Sequence, residues 1–356
     1  MKAFLILEDG TVFTGTSIGS TKSVISEIVF NTSMTGYLEV LTDPSYAGQA
    51  VVMTYPLIGN YGITPDMESK QPWPDGYIVR ELSRIPSNFR CQGTIQDFLK
   101  EHDIPGIAGI DTRALTKILR EKGTMNGMIT TDENYKLDEI LPQLHVYNTG
   151  NVVDKVTCSE KEVLKADGYK VALLDFGAKN NIAQSLHKRG CEVTIYPAHT
   201  TAAEILASNP DGIMLSNGPG DPKACTDIIK EVKKLYDSEV PIFAICLGHQ
   251  LMALATGADT YKLKYGHRGG NHPVKDLETG RVYISSQNHG YVVDTDNLDP
   301  KVAVPAFINV NDGTNEGLKY TGKNIFTVQF HPEACPGPQD SGYLFDRFLE
   351  MMGGEK

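Results

Sequence analysis

The chain has 356 residues, 22% of them charged and 40% hydrophobic, with a formal net charge of −11 at pH 7. This length favours two domains, and an acidic chain without long Lys/Arg runs is unsuited to nucleic acid, which binds basic surfaces. The apolar run at residues 3–7 is too short for a signal peptide, and no later run could span a bilayer, so we expect no membrane contact. Six cysteines without CxxC spacing predict reduced thiols and a cytoplasmic location.

Residues 1–150 are predicted to form a β-rich α+β domain. An apolar run at residues 2–7 followed by Asp9 and Gly10 predicts a β-hairpin. One helix is predicted to begin after Asp111 and to end at Gly123, because these residues suit the two helix ends. Further β-type runs are separated by Gly, Pro, Asn and Asp clusters, at residues 28–30, 50–54 and 77–80.

The second half of the chain has a different pattern. Residues 151–168 are polar and irregular and are predicted to be a linker. Residues 169–356 are predicted to form an α/β domain with a mainly parallel sheet, in which sites lie at the carboxyl ends of strands. The strands are predicted at residues 171–176, 192–196 and 212–215, and the helices between and after them at residues 181–188, 202–207 and 226–236.

Cys246 lies between a short buried strand at residues 242–245 and a helical pattern that ends at Gly257. A thiol at this turn is at the positive end of the helix dipole, which lowers its pKa and presents the sulfur to a cleft. The arrangement matches a nucleophile elbow with sulfur in place of a serine oxygen. The competing interpretation is an inert buried cysteine.

Two other features of the sequence favour the interpretation of Cys246 as a nucleophile. Residues 216–222 form a Gly-Pro-Gly loop after a strand, and the amides of Gly218 or Gly220, with that of Leu247, could stabilise an oxyanion. His331 and Glu333 follow a predicted strand and lie two residues apart, so that the carboxylate can orient the imidazole. Nucleophile, base and orienting group at strand ends together indicate a catalytic site.

Two patterns suggest ligands that we do not expect. Residues 317–324 nearly match a phosphate-binding loop, but Asn324 replaces the required Ser or Thr and the segment is typical of a hairpin. The histidines have neither HExxH nor CxxC spacing around them, at positions His249, His267, His272 and His289. We predict no nucleotide, no metal and no cofactor on this chain.

The motifs at residues 217–222, 246–250 and 331–333, in this order, resemble those of class I (triad) glutamine amidotransferases. Other motifs, spread over essentially the whole chain, resemble the small-subunit family of carbamoyl phosphate synthetases, at residues 30–37, 41–46, 87–90, 111–113, 266–273 and 336–338. The resemblance implies glutamine hydrolysis and transfer of ammonia to a large synthetase subunit that holds ATP, Mg²⁺ and bicarbonate. The resemblance also implies that the first domain is a docking surface and ammonia conduit. It further implies a role in pyrimidine and arginine synthesis.

By position, the resemblance implies that Cys246, His331 and Glu333 are catalytic. The implied glutamine contacts are Ser45, Gly218, Gly220, Leu247, Gln250, Asn288, Gly290 and Tyr291. Ala244 and Cys335 depart from the family pattern, where glycine and serine are usual. The alternatives are a stand-alone cysteine hydrolase, another triad amidotransferase or a non-catalytic regulatory subunit.

Overall fold

The structure is a computed structural model that describes residues 1–296, 298–334 and 336–353. It divides into two compact units, Met1–Gly150 and Asn151–Lys356, each with its own sheet and hydrophobic core. None of the helices in the described ranges is both long enough and apolar enough to cross a membrane.

The first unit is built on a closed barrel with strand order β1-β2-β8-β6-β4-β3-β9, and β5 pairs separately with β7. The strands are β1 Lys2–Leu7, β2 Val12–Ser17, β3 Val24–Asn31, β4 Gln49–Met53, β5 Leu57–Ile58, β6 Gly76–Ile78, β7 Glu81–Leu82, β8 Gly106–Ala108 and β9 Met125–Thr130. The helices are α1 Tyr37–Thr42, α2 Ile95–Glu101, α3 Thr112–Lys122 and α4 Leu137–Val146. A core cluster joins barrel residues such as Val51 and Tyr77 to Leu38 of α1 and Leu99 of α2.

Local sequence signals set several elements of this unit. The hairpin β1–β2 turns at Gly10, whose φ of 84° is one that glycine adopts without strain. Helix α3 begins where the Asp111 carboxylate accepts a hydrogen bond from the Ala114 amide at 3.0 Å, and it ends at Gly123. The predicted hairpin and helix are confirmed.

The second unit contains a ten-stranded sheet with order β10-β12-β11-β13-β14-β19-β18-β17-β15-β16. Its strands are β10 Glu162–Leu164, β11 Lys170–Asp175, β12 Glu192–Pro197, β13 Gly212–Leu215, β14 Ile242–Ile245, β15 Asp259–Asp276, β16 Val282–Asp294, β17 Ala303–Asn309, β18 Asn315–Tyr320 and β19 Ile325–Val328. Its helices are α5 Val153–Val156, α6 Asn180–His187, α7 Ala202–Ala207, α8 Thr226–Asp237, α9 Leu247–Ala255 and α10 Tyr343–Met351.

The parallel centre of this sheet consists of β12, β11, β13, β14 and β19. Every residue of β14 is buried, and successive residues enter opposite cores: Ile242 and Ala244 one cluster, Phe243 and Ile245 the other. Phe243 stacks on Phe326 with ring centroids 4.4 Å apart. Burial on both faces is what continuous apolar runs predict for parallel strands, and the α/β class is confirmed.

Two parts of the second unit differ from the sequence-based expectation. Residues 151–168, predicted to be a linker, contain α5 and β10, and β10 pairs antiparallel with β12. Their polar composition reflects an exposed edge strand, in which Glu162 and Val163 face solvent. Strands β15 to β18 add an antiparallel extension to the parallel centre, and β15 and β16 are its longest members.

Candidate active site

Cys246 occupies the sharp turn between β14 and α9, with φ 52° and ψ −103°. This backbone conformation is strained for a residue with a side chain and needs support from its surroundings. The Cys246 amide donates to the Val328 carbonyl at 2.8 Å, and the Gly248 amide donates to the Ser216 carbonyl at 3.0 Å. The elbow is therefore held by the strand on each side of β14, and the predicted strand–cysteine–helix arrangement is present.

His331 lies beside the elbow, with its Nδ1 2.7 Å from Glu333 Oε1. Burial alone would lower the pKa of His331, but the Glu333 carboxylate more than offsets this and raises it, with the Cys246 thiol adding to the rise. Nε2 of His331 is buried and has no hydrogen-bond partner among the described residues. An imidazole with one nitrogen fixed by a carboxylate and the other free, next to a thiol, is equipped for proton transfer.

Lys179 is a buried charge that sequence reasoning did not single out. Its Nζ donates to Glu333 Oε1 at 3.0 Å and to the Ala334 carbonyl at 2.8 Å, and its side chain is 3% exposed. Burial raises the pKa of Glu333, but Lys179 and then His331 outweigh that effect and lower it. Glu333 is therefore held as a carboxylate between Lys179 and His331. Lys179 follows β11, whose carboxyl end lies at the same edge of the sheet as Cys246. This position after a parallel strand was the sequence signal that could have identified Lys179.

Strand β16 contacts the catalytic motifs through three main-chain carbonyls. The Ser286 carbonyl accepts from the His331 amide at 2.9 Å, and the Asn288 carbonyl lies 3.7 Å from the Cys246 sulfur as its acceptor. The Tyr291 carbonyl accepts from Gln250 Nε2 at 2.8 Å. The backbone of β16, the strand predicted to contact glutamine, thus aligns it with Cys246, His331 and helix α9.

Gln329 is a second side chain that the sequence did not identify. Its Nε2 donates toward the Cys246 sulfur at 3.6 Å, and its Oε1 accepts from Gln250 Nε2 at 2.9 Å. Gln329 is two residues before His331, so the alternation that paired His331 with Glu333 also included it. It links the elbow to the predicted glutamine-binding side chain.

The loop after β13 packs directly against the elbow helix. A Cβ atom added at Gly218 would lie 2.2 Å from the Phe176 carbonyl oxygen and 2.8 Å from Leu247 Cδ2. The Phe176 amide donates to Ser216 Oγ at 2.9 Å, which fixes the loop. Leu247 is the first residue of α9, where amides have no acceptor within the helix. The two predicted oxyanion donors therefore come from adjoining segments.

Comparison with known proteins follows the same division of the chain. The family model for the carbamoyl-phosphate synthase small chain, CPSase domain, matches residues 5–129, and that for class-I glutamine amidotransferase matches residues 172–351. The carbamoyl phosphate synthase small chain of Clostridium perfringens is 53% identical over 351 residues, which cover 98% of this chain and 99% of that one. The chain belongs to the carbamoyl phosphate synthase small-chain family.

A second small chain agrees with this assignment. The carbamoyl phosphate synthase small chain of Listeria monocytogenes serotype 4b is 51% identical over 357 residues, covering 100% of this chain and 98% of that one. A solved glutamine amidotransferase from Thermotoga maritima has a TM-score of 0.39 and 18% identity over 52% of this chain and 82% of its own. The two small chains and the family models confirm the resemblance to an enzyme of the carbamoyl phosphate synthase small-chain family.

The second unit of this small-chain family member holds nearly all the residues singled out from sequence. The contacts above connect Cys246, His331, Glu333, Gly218, Leu247, Gln250, Asn288 and Tyr291. Gly290 lies on β16. Gly220 has a φ of 91° in the loop after β13 (residues 216–222), which we call the donor loop. Ser45 belongs to the first unit, where its amide donates to Asp43 Oδ1 at 2.9 Å, and its glutamine contact remains a prediction.

The two departures from the small-chain pattern have different outcomes. Ala244 is fully buried on β14, and its methyl group belongs to the core cluster that contains Leu215 and Leu247. Cys335 lies outside the described residues. The near phosphate-loop at residues 317–324 spans the turn of the antiparallel pair β18–β19, so the hairpin prediction is confirmed.

Gly218→Ala is expected to lower glutamine hydrolysis about 10²-fold, because the added methyl group displaces the donor loop from the Phe176 carbonyl and from Leu247. The measurement is kcat/KM for ammonia release from glutamine. Gly93→Ala is the matched control, since a Cβ there meets no atom within 4 Å. Equal kcat/KM in the two variants would contradict an oxyanion role for this loop.

Proposed function

We propose that this chain is the glutamine-hydrolysing subunit of a carbamoyl phosphate synthase and that it supplies ammonia to a large synthetase subunit. The observation that carries the proposal is the buried His331–Glu333 pair beside a strained cysteine elbow. This constellation suits attack on a carboxamide, and it occurs in a member of the small-chain family.

The first half of the proposed reaction forms a thioester. The Cys246 thiol gives its proton to His331 Nε2, and the sulfur attacks the side-chain carboxamide carbon of glutamine. The Leu247 and Gly218 amides stabilise the tetrahedral oxyanion, and loss of one such donor typically costs about 10²–10³ in rate. His331 then protonates the leaving nitrogen, the C–N bond breaks, and ammonia departs from a γ-glutamyl thioester.

The second half regenerates the enzyme. His331 Nε2 removes a proton from water, and the resulting hydroxide attacks the thioester carbon. The C–S bond then breaks, His331 returns the proton to the Cys246 sulfur, and glutamate leaves. Glu333 holds the Nδ1 proton and stabilises the imidazolium. The raised pKa of His331 supports this role, because it favours the protonated imidazole beside a developing thiolate. This chemistry uses only side chains and amides, so we propose no cofactor for hydrolysis on this chain.

The ammonia needs a protected route to its acceptor, because ammonium, the form favoured in water near neutral pH, is not a nucleophile. We propose that a large subunit with bound ATP, Mg²⁺ and bicarbonate receives it in a heterodimer, within pyrimidine or arginine synthesis. A cytoplasmic location is consistent with the free thiols of Cys91, Cys158, Cys191, Cys225 and Cys246.

The test is to express the chain alone and together with the large synthetase chain, and to measure glutamine hydrolysis and carbamoyl phosphate formation. The proposal predicts co-purification, glutamine-dependent carbamoyl phosphate formation by the pair, and weaker hydrolysis by the chain alone. Strong hydrolysis that is unaffected by the large chain would instead favour a stand-alone cysteine hydrolase. No hydrolysis in either preparation would favour a regulatory subunit.

An exposed loop of the first unit is our candidate for the docking surface. In this loop, residues 83–92, Phe89 is 96% exposed and Ile85 is 81% exposed. The loop is held in place, since the Ser83 and Ser87 amides donate to carbonyls at 2.7 Å each. Large apolar side chains presented on a fixed loop are typical of protein interfaces, and the family name supplies a large chain as partner.

Phe89→Ser is expected to weaken binding of the large chain at least about tenfold, because burying an aromatic ring contributes about 1.5–3 kcal/mol. The measurement is the Kd of the two chains by titration. Val146→Ser is the control, since Val146 is 80% exposed elsewhere in the same unit. Unchanged melting temperatures would show that both variants fold, and an equal Kd for the two would place docking elsewhere.

A further inference from the structure

Three strands bring together a buried group of possible metal ligands that lie far apart in sequence. His267 on β15, His289 on β16 and Glu316 on β18 offer ligand atoms that all lie within 4.8 Å of one another. The three residues are 7%, 5% and 0% exposed. The expectation of no metal relied on local spacing motifs, which do not detect ligands that the fold assembles.

One nitrogen of each imidazole contacts an oxygen atom outside this group of three residues, and this contact orients the ring. His267 Nε2 lies 2.8 Å from Asp312 Oδ2, and its Nδ1 faces Glu316 Oε1 at 3.7 Å without a hydrogen bond. His289 Nδ1 lies 2.9 Å from the Tyr291 carbonyl, which can only accept, so this nitrogen carries a proton. An outer oxygen that fixes the tautomer and leaves the inner nitrogen available is typical of metal-binding histidines.

The inner nitrogen of His289 faces an acceptor. His289 Nε2 is 3.0 Å from Gln287 Oε1, while Gln287 Nε2 donates to Glu316 Oε1 at 2.8 Å. Turning the Gln287 amide around would set its oxygen against the Glu316 carboxylate. With Nδ1 protonated, Nε2 of a neutral His289 imidazole is an acceptor, so two acceptor atoms face each other at 3.0 Å. A cation among these atoms would remove the conflict between the lone pairs of His289 and Gln287.

We propose that His267, His289 and Glu316 bind one divalent transition-metal cation of the zinc class, with Gln287 Oε1 as a fourth ligand. Two imidazole nitrogens and a carboxylate are a ligand set that zinc commonly takes. Bonds of about 2.1 Å in a tetrahedron place ligand atoms about 3.4 Å apart, so binding would draw in the more widely spaced pairs.

The ion would lie beside Nδ1 of His267, which is 3.7 Å from Glu316 Oε1. Metal binding requires a free lone pair on this nitrogen, as it does for histidine ligands generally. Because the ligands come from β15, β16 and β18, the ion would join three strands of the antiparallel extension.

The test measures zinc in the full-length chain carrying Cys246→Ser, so that the elbow thiol contributes no ligand. After equilibration with zinc and removal of the free metal, elemental analysis is expected to find a single tightly bound ion per chain. Adding Glu316→Gln, which keeps shape but removes the charge, is expected to lower retained zinc at least about tenfold. Adding His199→Asn instead, which changes an exposed histidine paired with Asp154, is expected to leave the zinc content unchanged.

Thermal unfolding provides a second measurement on the same proteins. Zinc is expected to raise the melting temperature of the Cys246→Ser chain and of its His199→Asn derivative, and a chelator should reverse the rise, because a ligand of the folded state stabilises it. The Glu316→Gln derivative should show no such rise. Absence of bound zinc from the parent, or equal retention by the Glu316→Gln derivative with a native circular dichroism spectrum, overturns the proposal.

Discussion

Cys246→Ser is expected to abolish glutamine-dependent carbamoyl phosphate synthesis while the complex still uses added ammonia. Loss of the nucleophile of a catalytic triad typically costs between about 10⁴ and 10⁶ in rate. A serine hydroxyl is a much weaker nucleophile than a thiolate, and His331 is positioned for a sulfur atom. In the proposed reaction ammonia enters after the hydrolytic step, so the synthetase reaction would not need the thiol.

The measurement compares carbamoyl phosphate formation from glutamine and from ammonium chloride by the same purified complex. Cys191→Ser is the matched control, because Cys191 is also a buried cysteine but precedes the parallel strand β12, whereas Cys246 follows the parallel strand β14. Burial raises the pKa of the Cys191 thiol to about 11. The control should retain both activities. Glutamine use by Cys246→Ser at a rate close to that of the unmodified complex would rule out Cys246 as the nucleophile.

Glu333→Gln is expected to reduce glutamine hydrolysis about 10⁴-fold, because a carboxamide no longer fixes the imidazole tautomer or stabilises the imidazolium. It should also lower the free energy of unfolding by about 3 kcal/mol, since the buried Lys179 ammonium loses the Glu333 carboxylate beside it. The two effects have different causes. Urea denaturation measures the free energy of unfolding of each unit, and ammonia release from glutamine measures hydrolysis.

The double variant Glu333→Gln, Lys179→Met separates these causes. Removing the Lys179 ammonium, which no longer has the Glu333 carboxylate beside it, is expected to recover most of the lost stability, whereas hydrolysis should remain low because His331 still lacks its carboxylate. Lys179→Met alone is the control for the loss of the lysine, and Glu333 there keeps its contact with His331. If the double variant regained activity along with stability, Glu333 would serve mainly as the counter-ion of Lys179.

The elements with local signals could be predicted from the sequence. Helix α3 has Asp111 and Gly123 at its ends, and the apolar run before Cys246 identified β14, so both were found close to their true bounds. The candidate triad was found because parallel strands place their carboxyl ends along one edge of a sheet. Cys246 and His331 each follow such a strand.

The remaining features depend on long-range contacts that leave no local pattern. Closure of the barrel needs β2 to pair with β8, about a hundred residues later in the chain, and the three-residue edge strand β10 pairs with β12, about thirty residues later. Lys179 and Glu333 are 154 positions apart, so no spacing motif can relate them. The same limit hid the grouping of His267 with Glu316, which requires the register of three antiparallel strands.

The three carbonyl contacts of β16 would separate two properties that are often coupled in an enzyme: the alignment of the reacting groups and the recognition of the substrate. Ser286, Asn288 and Tyr291 hold Cys246, Gln250 and His331 through main-chain oxygen atoms, which are present whatever side chain occupies those positions. If β16 contacts the substrate as proposed, exchanges of its side chains would alter which amide is bound without moving Cys246 or His331. Substrate preference could then change by single substitutions while the alignment of the two reacting groups stays the same.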